Sequence, residues 1–262
     1  MDLQHYGEVA EQAARRAGAI LRKMASEFSV REKGRGDLVT TADVASQEAI
    51  RQVLLGEFPN HAFVGEEGQQ KPDPTAEFRW IVDPLDGTSN YVHGVEFYAV
   101  SIGLEARGQL VAGVIYDPNA DHCFKATAGG GAFLNLQPIR VSQVSRLRDA
   151  LIVTGFPPNI RGRADLWRLF EEFCSESHSV RRLGSSALDL AYVAWGRFDA
   201  FYSLNHHCWD VAAGVLILRE AGGHVTNLTG STHDLYAPSI LATNGLVHQE
   251  AIAVVKRALD GA

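Results

Sequence analysis

Trp80-Ile81-Val82-Asp83-Pro84-Leu85-Asp86-Gly87-Thr88-Ser89-Asn90 is the stretch on which the reading of this chain turns. Its apolar start predicts a β-strand over residues 79–82. The strand is expected to stop at Asp83-Pro84, because proline has no N–H to give a sheet and restrains the residue before it. Asp83 and Asp86 then stand together just past a strand end, and Gly87-Thr88-Ser89 follows as a helix start. The free N–H groups of such a start suit a phosphate oxygen, and a threonine hydroxyl there can orient a water. Taken singly, Asp-Pro and Asp-Gly are ordinary turn formers. Convergence with other acids changes the reading, because buried carboxylates repel one another and cations must offset the repulsion.

Two further acidic groups occupy similar positions. Gly65-Glu66-Glu67-Gly68 follows the apolar pair Phe63-Val64, and Trp209-Asp210 opens an apolar helix. Alone, a Glu pair is a solvated face and an Asp is a helix cap. Together Glu66, Asp83, Asp86 and Asp210 make an oxygen donor set without a convincing Cys or His companion, which favours magnesium or manganese over zinc. Paired ions of that kind can activate a water, bind phosphate oxygens and stabilise a leaving oxygen.

Working outward, apolar residues recur at three and four from Tyr6 to Phe28 and predict an amphipathic helix capped by Asp2. Asp37-Leu-Val-Thr-Thr-Ala-Asp43 leads into a second helix that ends at Phe58-Pro59. Residues 98–105, 109–116 and 121–126 read as strands, the first two joined at Arg107-Gly108, and Gly129-Gly-Gly131 reads as a turn. The second half predicts a strand at 151–154, a helix at 164–174, a helix from Ser185-Ser186 to Gly196 and a strand at 200–203. A helix from Asp210 to Ala221, stopped by Gly222-Gly223, a strand at 241–244 and a helix at 247–259 complete it. No linker, low-complexity segment or internal repeat interrupts residues 1–262, so one domain is expected, with halves of about 1–140 and 141–262. The alternation, read as free of long parallel crossovers, suggests layered sheets with helices between and outside them.

Composition narrows the class. The 262 residues are 46% hydrophobic and carry a formal net charge of −7, so the broad basic field of a nucleic-acid binder is missing. An acidic protein that binds phosphate esters needs local cations, and metal ions are the usual source. Cys123, Cys174 and Cys208 have neither metal-ligand nor redox spacing and read as buried thiols in a reducing compartment. No apolar run reaches the ~20 residues of a membrane helix, and the first residues lack a basic-then-apolar leader pattern. A soluble cytoplasmic protein is the expectation.

The opening stretch resembles the first signature of the inositol monophosphatase family. Trp209-Asp-Val-Ala-Ala-Gly214, ending in Glu220-Ala-Gly-Gly223, resembles the second, and Gly65-Glu66-Glu67 and Asp37 to Asp43 stand at the family's intervals before them. The resemblance runs from about residue 5 to 255. It implies an α/β (α+β) chain folded as a layered αβαβα sandwich of the inositol monophosphatase / fructose-1,6-bisphosphatase type, assembled as a homodimer. It further implies a lithium-sensitive hydrolase of small phosphate monoesters that uses two or three Mg2+ ions, with Mn2+ as a substitute. Glu66, Asp83, the Leu85 carbonyl, Asp86 and Asp210 would be the metal ligands. Glu66 and Thr88 would position the attacking water and Asp43 would support Thr88. The Gly87 and Thr88 backbone would hold the phosphate, and Lys33 falls one residue from the family's loop lysine. The mechanism so implied is in-line attack by a metal-activated water without a covalent intermediate.

Substrate choice is less determined. Ser203 stands where inositol-preferring members carry a Glu, which removes a strong acceptor for sugar hydroxyls; the plain alternative is that Ser203 merely ends its strand and points away from the site. Ser186 borders the substrate position, beside Asp86 and Asp210, and Pro157-Pro158 fills a region where animal members carry serines. Inositol-1-phosphate, another sugar or polyol phosphate, histidinol phosphate and a nucleotide phosphate therefore stay open. Some bacterial members also act as partners of a transcription complex, a second reading that the intact acidic set disfavours. His206-His207 invites a transition-metal reading, but neighbours on a strand face opposite ways, and packed or substrate-facing histidines are preferred. Gly129-Gly-Gly131 lacks the Lys-Ser/Thr of a phosphate loop, and Arg181-Arg182 reads as a solvated or interface pair.

Overall fold

The computed structural model describes residues 2–34, 36–68, 75–157 and 159–260, so Pro158 lies outside the described residues. The chain opens with α1 (Leu3–Met24), β1 (Val30–Gly34), β2 (Asp37–Thr40) and α2 (Thr41–Glu57). Next come β3 (Ala62–Gly65), β4 (Phe78–Asp86), the short α3 (Thr88–Val92), β5 (Ala99–Ala106) and β6 (Gln109–Asp117). β7 (His122–Thr127), β8 (Gly131–Leu134) and β9 (Gln137–Pro138) complete the first half. The second half holds β10 (Leu151–Thr154), α4 (Ala164–Glu176), β11 (Ser179–Arg181), α5 (Ser186–Ala194) and β12 (Ala200–Ser203). α6 (Cys208–Glu220), β13 (His224–Thr226), β14 (Ile240–Thr243) and α7 (His248–Asp260) follow.

Strands β3 to β9 form a seven-stranded sheet in chain order, parallel at β3–β4 and antiparallel elsewhere. α1 and α2 cover one face, joined through buried Ala10, Ala13, Ala17, Leu21, Ile50, Leu54 and Trp80. α6 lies across the other face and comes close: a Cβ on Gly103 would stand 2.8 Å from Ala212 Cβ, and one on Gly113 2.9 Å from the Ala213 carbonyl. Strand β5 is therefore buried along its whole length, as a strand between two helix layers must be.

The second sheet has the order β11-β10-β12-β14-β13. Contrary to the sequence expectation, β10 runs parallel to both β11 and β12, reached through α4 and α5. A helix between neighbouring parallel strands is the usual crossover connection. α5 and α6 pack between the two sheets, while α4 and α7 cover the outer face around Leu169, Phe173, Tyr202 and Val255. The layers are thus α1/α2, sheet, α5/α6, sheet, α4/α7, the expected αβαβα sandwich.

Several boundaries differ from the sequence reading. Residues 37–40 are not the approach to a helix but the second strand of the β1–β2 hairpin, and Thr40 ends it as the cap of α2. β4 does not stop at Asp83-Pro84; it continues to Asp86 through a bulge. The Gly129-Gly-Gly131 turn is present, its Gly129 and Gly131 N–H groups donating to the two Glu220 carboxylate oxygens at 2.8 and 2.9 Å. Cys123 and Cys208 are buried, but Cys174 is exposed on α4. Among the described residues no helix is long and apolar enough to cross a membrane.

Candidate active site

The bulge in β4 creates the site. Asp83 pairs with Ser101 and Asp86 with Ala99, so three steps along β4 face two along β5. Pro84 sits in the unpaired stretch, where a missing N–H costs no ladder bond. Ser46 donates to the Pro84 carbonyl at 2.7 Å, and Leu85 N–H donates to Asp83 Oδ1 at 3.0 Å, which hold the bulge in place. Gly87 then turns the chain with φ +98°, and a Cβ there would meet the Phe97 and Gly184 carbonyl oxygens at 3.1 and 3.3 Å. Only glycine satisfies both demands.

Thr88 opens α3 with its hydroxyl 3.0 Å from the Leu85 carbonyl oxygen and 3.1 Å from Asp43 Oδ1. Asp43 is fully buried in the first turn of α2, where its Oδ2 accepts from Thr40 N–H at 2.8 Å and Thr40 Oγ1 at 2.5 Å. It stands behind the cavity wall, and burial raises its carboxyl against the pull of these bonds.

Glu66 leaves the end of β3 and takes Lys33 Nζ at 3.0 Å; the same ammonium reaches Glu67 at 2.6 Å. Lys33 lies in β1, so the hairpin missed by the sequence reading is what carries it over the acids. The Gln47 amide clamps the turn, donating to the Glu67 carbonyl and accepting from Glu67 N–H. From the other half, Asp86 Oδ2 accepts from Ser185 Oγ at 2.6 Å and Ala187 N–H at 2.5 Å, which ties β4 to the start of α5. Asp210 lies in the first turn of α6 and accepts from His207 N–H at 2.8 Å.

These elements enclose a cavity of about 560 Å³ whose wall includes Lys33, Glu66, Asp83, Leu85, Asp86, Gly87, Thr88, Ser186, Ser203 and Asp210. Every site residue expected from the sequence is on it except Asp43. Ser203 ends β12 and faces the cavity rather than pointing away from it. Arg182 is exposed, as a solvated residue is, and also lines the cavity, whereas Arg181 turns to Ser179 and Val180. His206 is buried while His207 lines the cavity and stacks on Trp209 at 4.7 Å. They precede α6 rather than lying in a strand, but they do face apart. Ser46 and Gln47 were not singled out, and Ser185 was read only as a helix start; their long-range contacts reveal what they hold.

The electrostatics show that the acids meet. Burial and the charges of Glu66, Asp86 and Asp210 hold the Asp83 carboxyl well above the ordinary range. Asp210 is raised likewise by burial, then by Asp86 and Glu66. Burial pushes Asp86 up to about 6, opposed by Ser185 and the N–H groups of Ala187 and Ser186, and pushes Glu66 up to about 7, opposed by Lys33. Among the described residues no three acidic, His or Cys side chains already close on one ion position. One oxygen of each carboxylate is held instead by Lys33, Leu85, Ser185 with Ala187, or His207. The donor chemistry nonetheless fits a hard divalent cation: four carboxylates and a carbonyl oxygen share one wall, and positive charge removes their mutual repulsion.

Known proteins share this fold. The inositol monophosphatase family matches residues 2–259. A protein of Mesorhizobium japonicum named inositol-1-monophosphatase is 41% identical over 253 residues, covering 95% of each chain. A Pseudomonas aeruginosa protein named Nus factor SuhB is 40% identical over 244 residues, covering 90% of each. The solved structure of an inositol monophosphatase from Anabaena (Nostoc) superposes with a TM-score of 0.90 at 36% identity, covering all of both chains. With the fold, the acidic cavity and this extent of similarity in agreement, the chain belongs to the inositol monophosphatase family and is a phosphatase.

Proposed function

We propose that the chain is a single-domain, magnesium-dependent hydrolase of a small phosphate monoester, inositol-1-phosphate or a related polyol or sugar phosphate. The observation that carries the reading is the convergence of Glu66, Asp83, Asp86 and Asp210 in one cavity, where burial raises all four carboxyls and neighbouring acids raise Glu66, Asp83 and Asp210 further. With the Leu85 carbonyl they would hold magnesium, or manganese in its place. Bound there, the metal supplies positive charge for the phosphoryl and leaving oxygens and lowers the pKa of a water.

The remaining work belongs to the chain. Thr88, its hydroxyl drawn toward Asp43, holds the attacking water in line with phosphorus, and Glu66 takes up its proton. The first turn of α3 has N–H groups without intrahelical acceptors, so Gly87 and Thr88 receive the phosphate oxygens. Ser186, Ser203 and Arg182 border the space left for the alcohol portion. Positioning and charge supply most of the acceleration, as in phosphoryl transfer generally. Relatives named inositol-1-monophosphatase support the substrate class; histidinol and nucleotide phosphates are the alternatives within it. The free thiols fit a reducing cytoplasm, and a homodimer is the expected assembly.

The test is phosphate release from inositol-1-phosphate, histidinol phosphate, β-glycerophosphate and 3′,5′-adenosine bisphosphate, with magnesium and with EDTA. Activity that EDTA removes, magnesium restores and millimolar lithium lowers is expected; full turnover without metal would sink the reading. A second reading rests on relatives named Nus factor SuhB: a regulatory partner of a transcription complex. Capture of RNA polymerase by a catalytically silenced variant would favour it.

A further inference from the structure

His206 and His233 lie outside the cavity wall. His206 precedes α6, and His233 belongs to the loop between β13 and β14. The two segments are joined by His206 N–H donating to the Pro238 carbonyl at 3.4 Å. Tyr236 fastens the same loop to the sheet by donating to Glu105 at 2.8 Å. The imidazoles stand 6.2 Å apart, centroid to centroid, tilted by 38°. All four ring nitrogens are buried and have no hydrogen-bond partner among the described residues. Buried polar atoms are nearly always partnered, so four orphans in one place call for a bound water or ion between the rings. A hydrogen bond between the rings would satisfy only two of the four.

We propose that His206 and His233 form a two-imidazole site for a borderline divalent cation such as Zn2+, Ni2+ or Co2+, distinct from the carboxylate cavity. With metal–nitrogen bonds of about 2.0–2.1 Å and ring nitrogens ~1.2 Å from the centroid, two imidazoles on one tetrahedral ion stand ~5.3 Å apart by centroid, so an ion bridging the pair draws the rings together by ~1 Å from their 6.2 Å separation. Among the described residues no third His, Cys, Asp or Glu completes the set, so with two protein ligands the site binds weakly and exchangeably. Burial, and for His206 also the neighbouring His233, keeps both rings neutral, the form with a lone pair to give. Imidazole nitrogen prefers these cations to magnesium, so the two sites sort ions by hardness. A cation here clips the loop bearing His233 to the segment leading to Asp210, four residues after His206.

The test uses the whole protein in saturating magnesium, titrated with zinc chloride, with bound zinc counted after equilibrium dialysis and the thermal midpoint followed. Wild type is expected to bind one more zinc per chain than His206→Gln or His233→Gln. At free zinc tenfold above Kd its midpoint should rise by about 3–6 °C, a rise both variants lose. Equal zinc counts and equal shifts in wild type and either folded variant overturn the site. Should neither variant fold, the assigned ring signals of His206 and His233 in wild type decide the matter: they move with zinc, or the site does not exist.

Discussion

Thr88 Oγ1 lies 3.1 Å from Asp43 Oδ1, and through that contact the cavity wall is joined to the cap of α2. The two oxygens of Asp43 divide the work. Oδ2 is committed to Thr40, which starts the helix, and Oδ1 faces the Thr88 hydroxyl. A hydroxyl whose proton is drawn to a buried carboxylate offers its lone pairs to whatever enters the cavity.

Thr88→Ala is therefore expected to lower kcat by on the order of 10- to 100-fold while moving the thermal midpoint little, because Thr88 caps nothing. Asp43→Ala should lower kcat and also cost about 1 kcal/mol or more, since it breaks the capping box. Steady-state kinetics beside thermal unfolding separates the two; wild-type kcat in Thr88→Ala would remove threonine from the chemistry.

Asp83→Asn should move activity and stability in opposite directions. The amide oxygen can still accept from Leu85 N–H, but one of four mutually repelling buried charges is gone. We expect kcat to fall by on the order of 10² or more with a higher midpoint for the EDTA-treated protein. A lower midpoint in EDTA would show that Asp83 is structurally required instead.

The sequence made the acids legible because Glu66, Asp86 and Asp210 stand at the ends of regular elements and Asp83 precedes a proline, positions where a carboxylate either caps, turns the chain or binds. The long helices were legible from their apolar stripes. β1 was not, since all five of its residues are exposed and show no alternation; with it went the placement of Lys33. The extension of β4 through Asp83-Pro84 was hidden because a bulge tolerates the proline that ordinarily ends a strand. Gln47 and Ser185 act on residues 20 and 99 positions away, and no local pattern encodes such contacts.

Magnesium binding should strengthen as pH rises from about 5 to about 7.5. Burial pushes Asp86 up to about 6 and Glu66 up to about 7 in the metal-free protein. Below those values the carboxyls are protonated and cannot bind a cation; above them the protons have gone. The midpoint difference between magnesium and EDTA, measured at pH 5, 6, 7 and 8, is expected to grow over the first three points. A difference independent of pH would place the cation elsewhere.

His248 should contribute a stability loss in acid. Its ring nitrogens lie 3.1 Å from Thr226 Oγ1 and 2.9 Å from Thr243 Oγ1, and burial, with His224 nearby, lowers it to about 4. The unfolded chain takes the proton near pH 6.5 and the folded one only near 4, so stability is full above 6.5 and falls as pH drops to 4. The loss by pH 4 is on the order of 3 kcal/mol. His248→Gln, lower in stability at pH 7, should converge on wild type by pH 4; parallel curves would exclude the histidine as the source.

Ser203 tests specificity. It is buried at the end of β12 and faces the cavity, with its Oγ accepting weakly from Asn205 N–H at 3.5 Å. A hydroxyl so placed gives a substrate alcohol one modest partner, whereas a carboxylate would accept from two hydroxyls with bonds of ~1.5–3 kcal/mol. We expect the wild type to prefer inositol-1-phosphate over β-glycerophosphate only modestly, and Ser203→Glu to raise that ratio of kcat/KM by ~10-fold or more. The added acid also joins a wall that already holds Glu66, Asp83, Asp86 and Asp210, so the variant should need more magnesium for half-maximal activity. If the ratio stays fixed while the magnesium requirement rises, the new carboxylate points at the cations and not at the alcohol. If wild type already discriminates strongly, Ser186 and Arg182, which share the wall, supply the recognition and become the next positions to change.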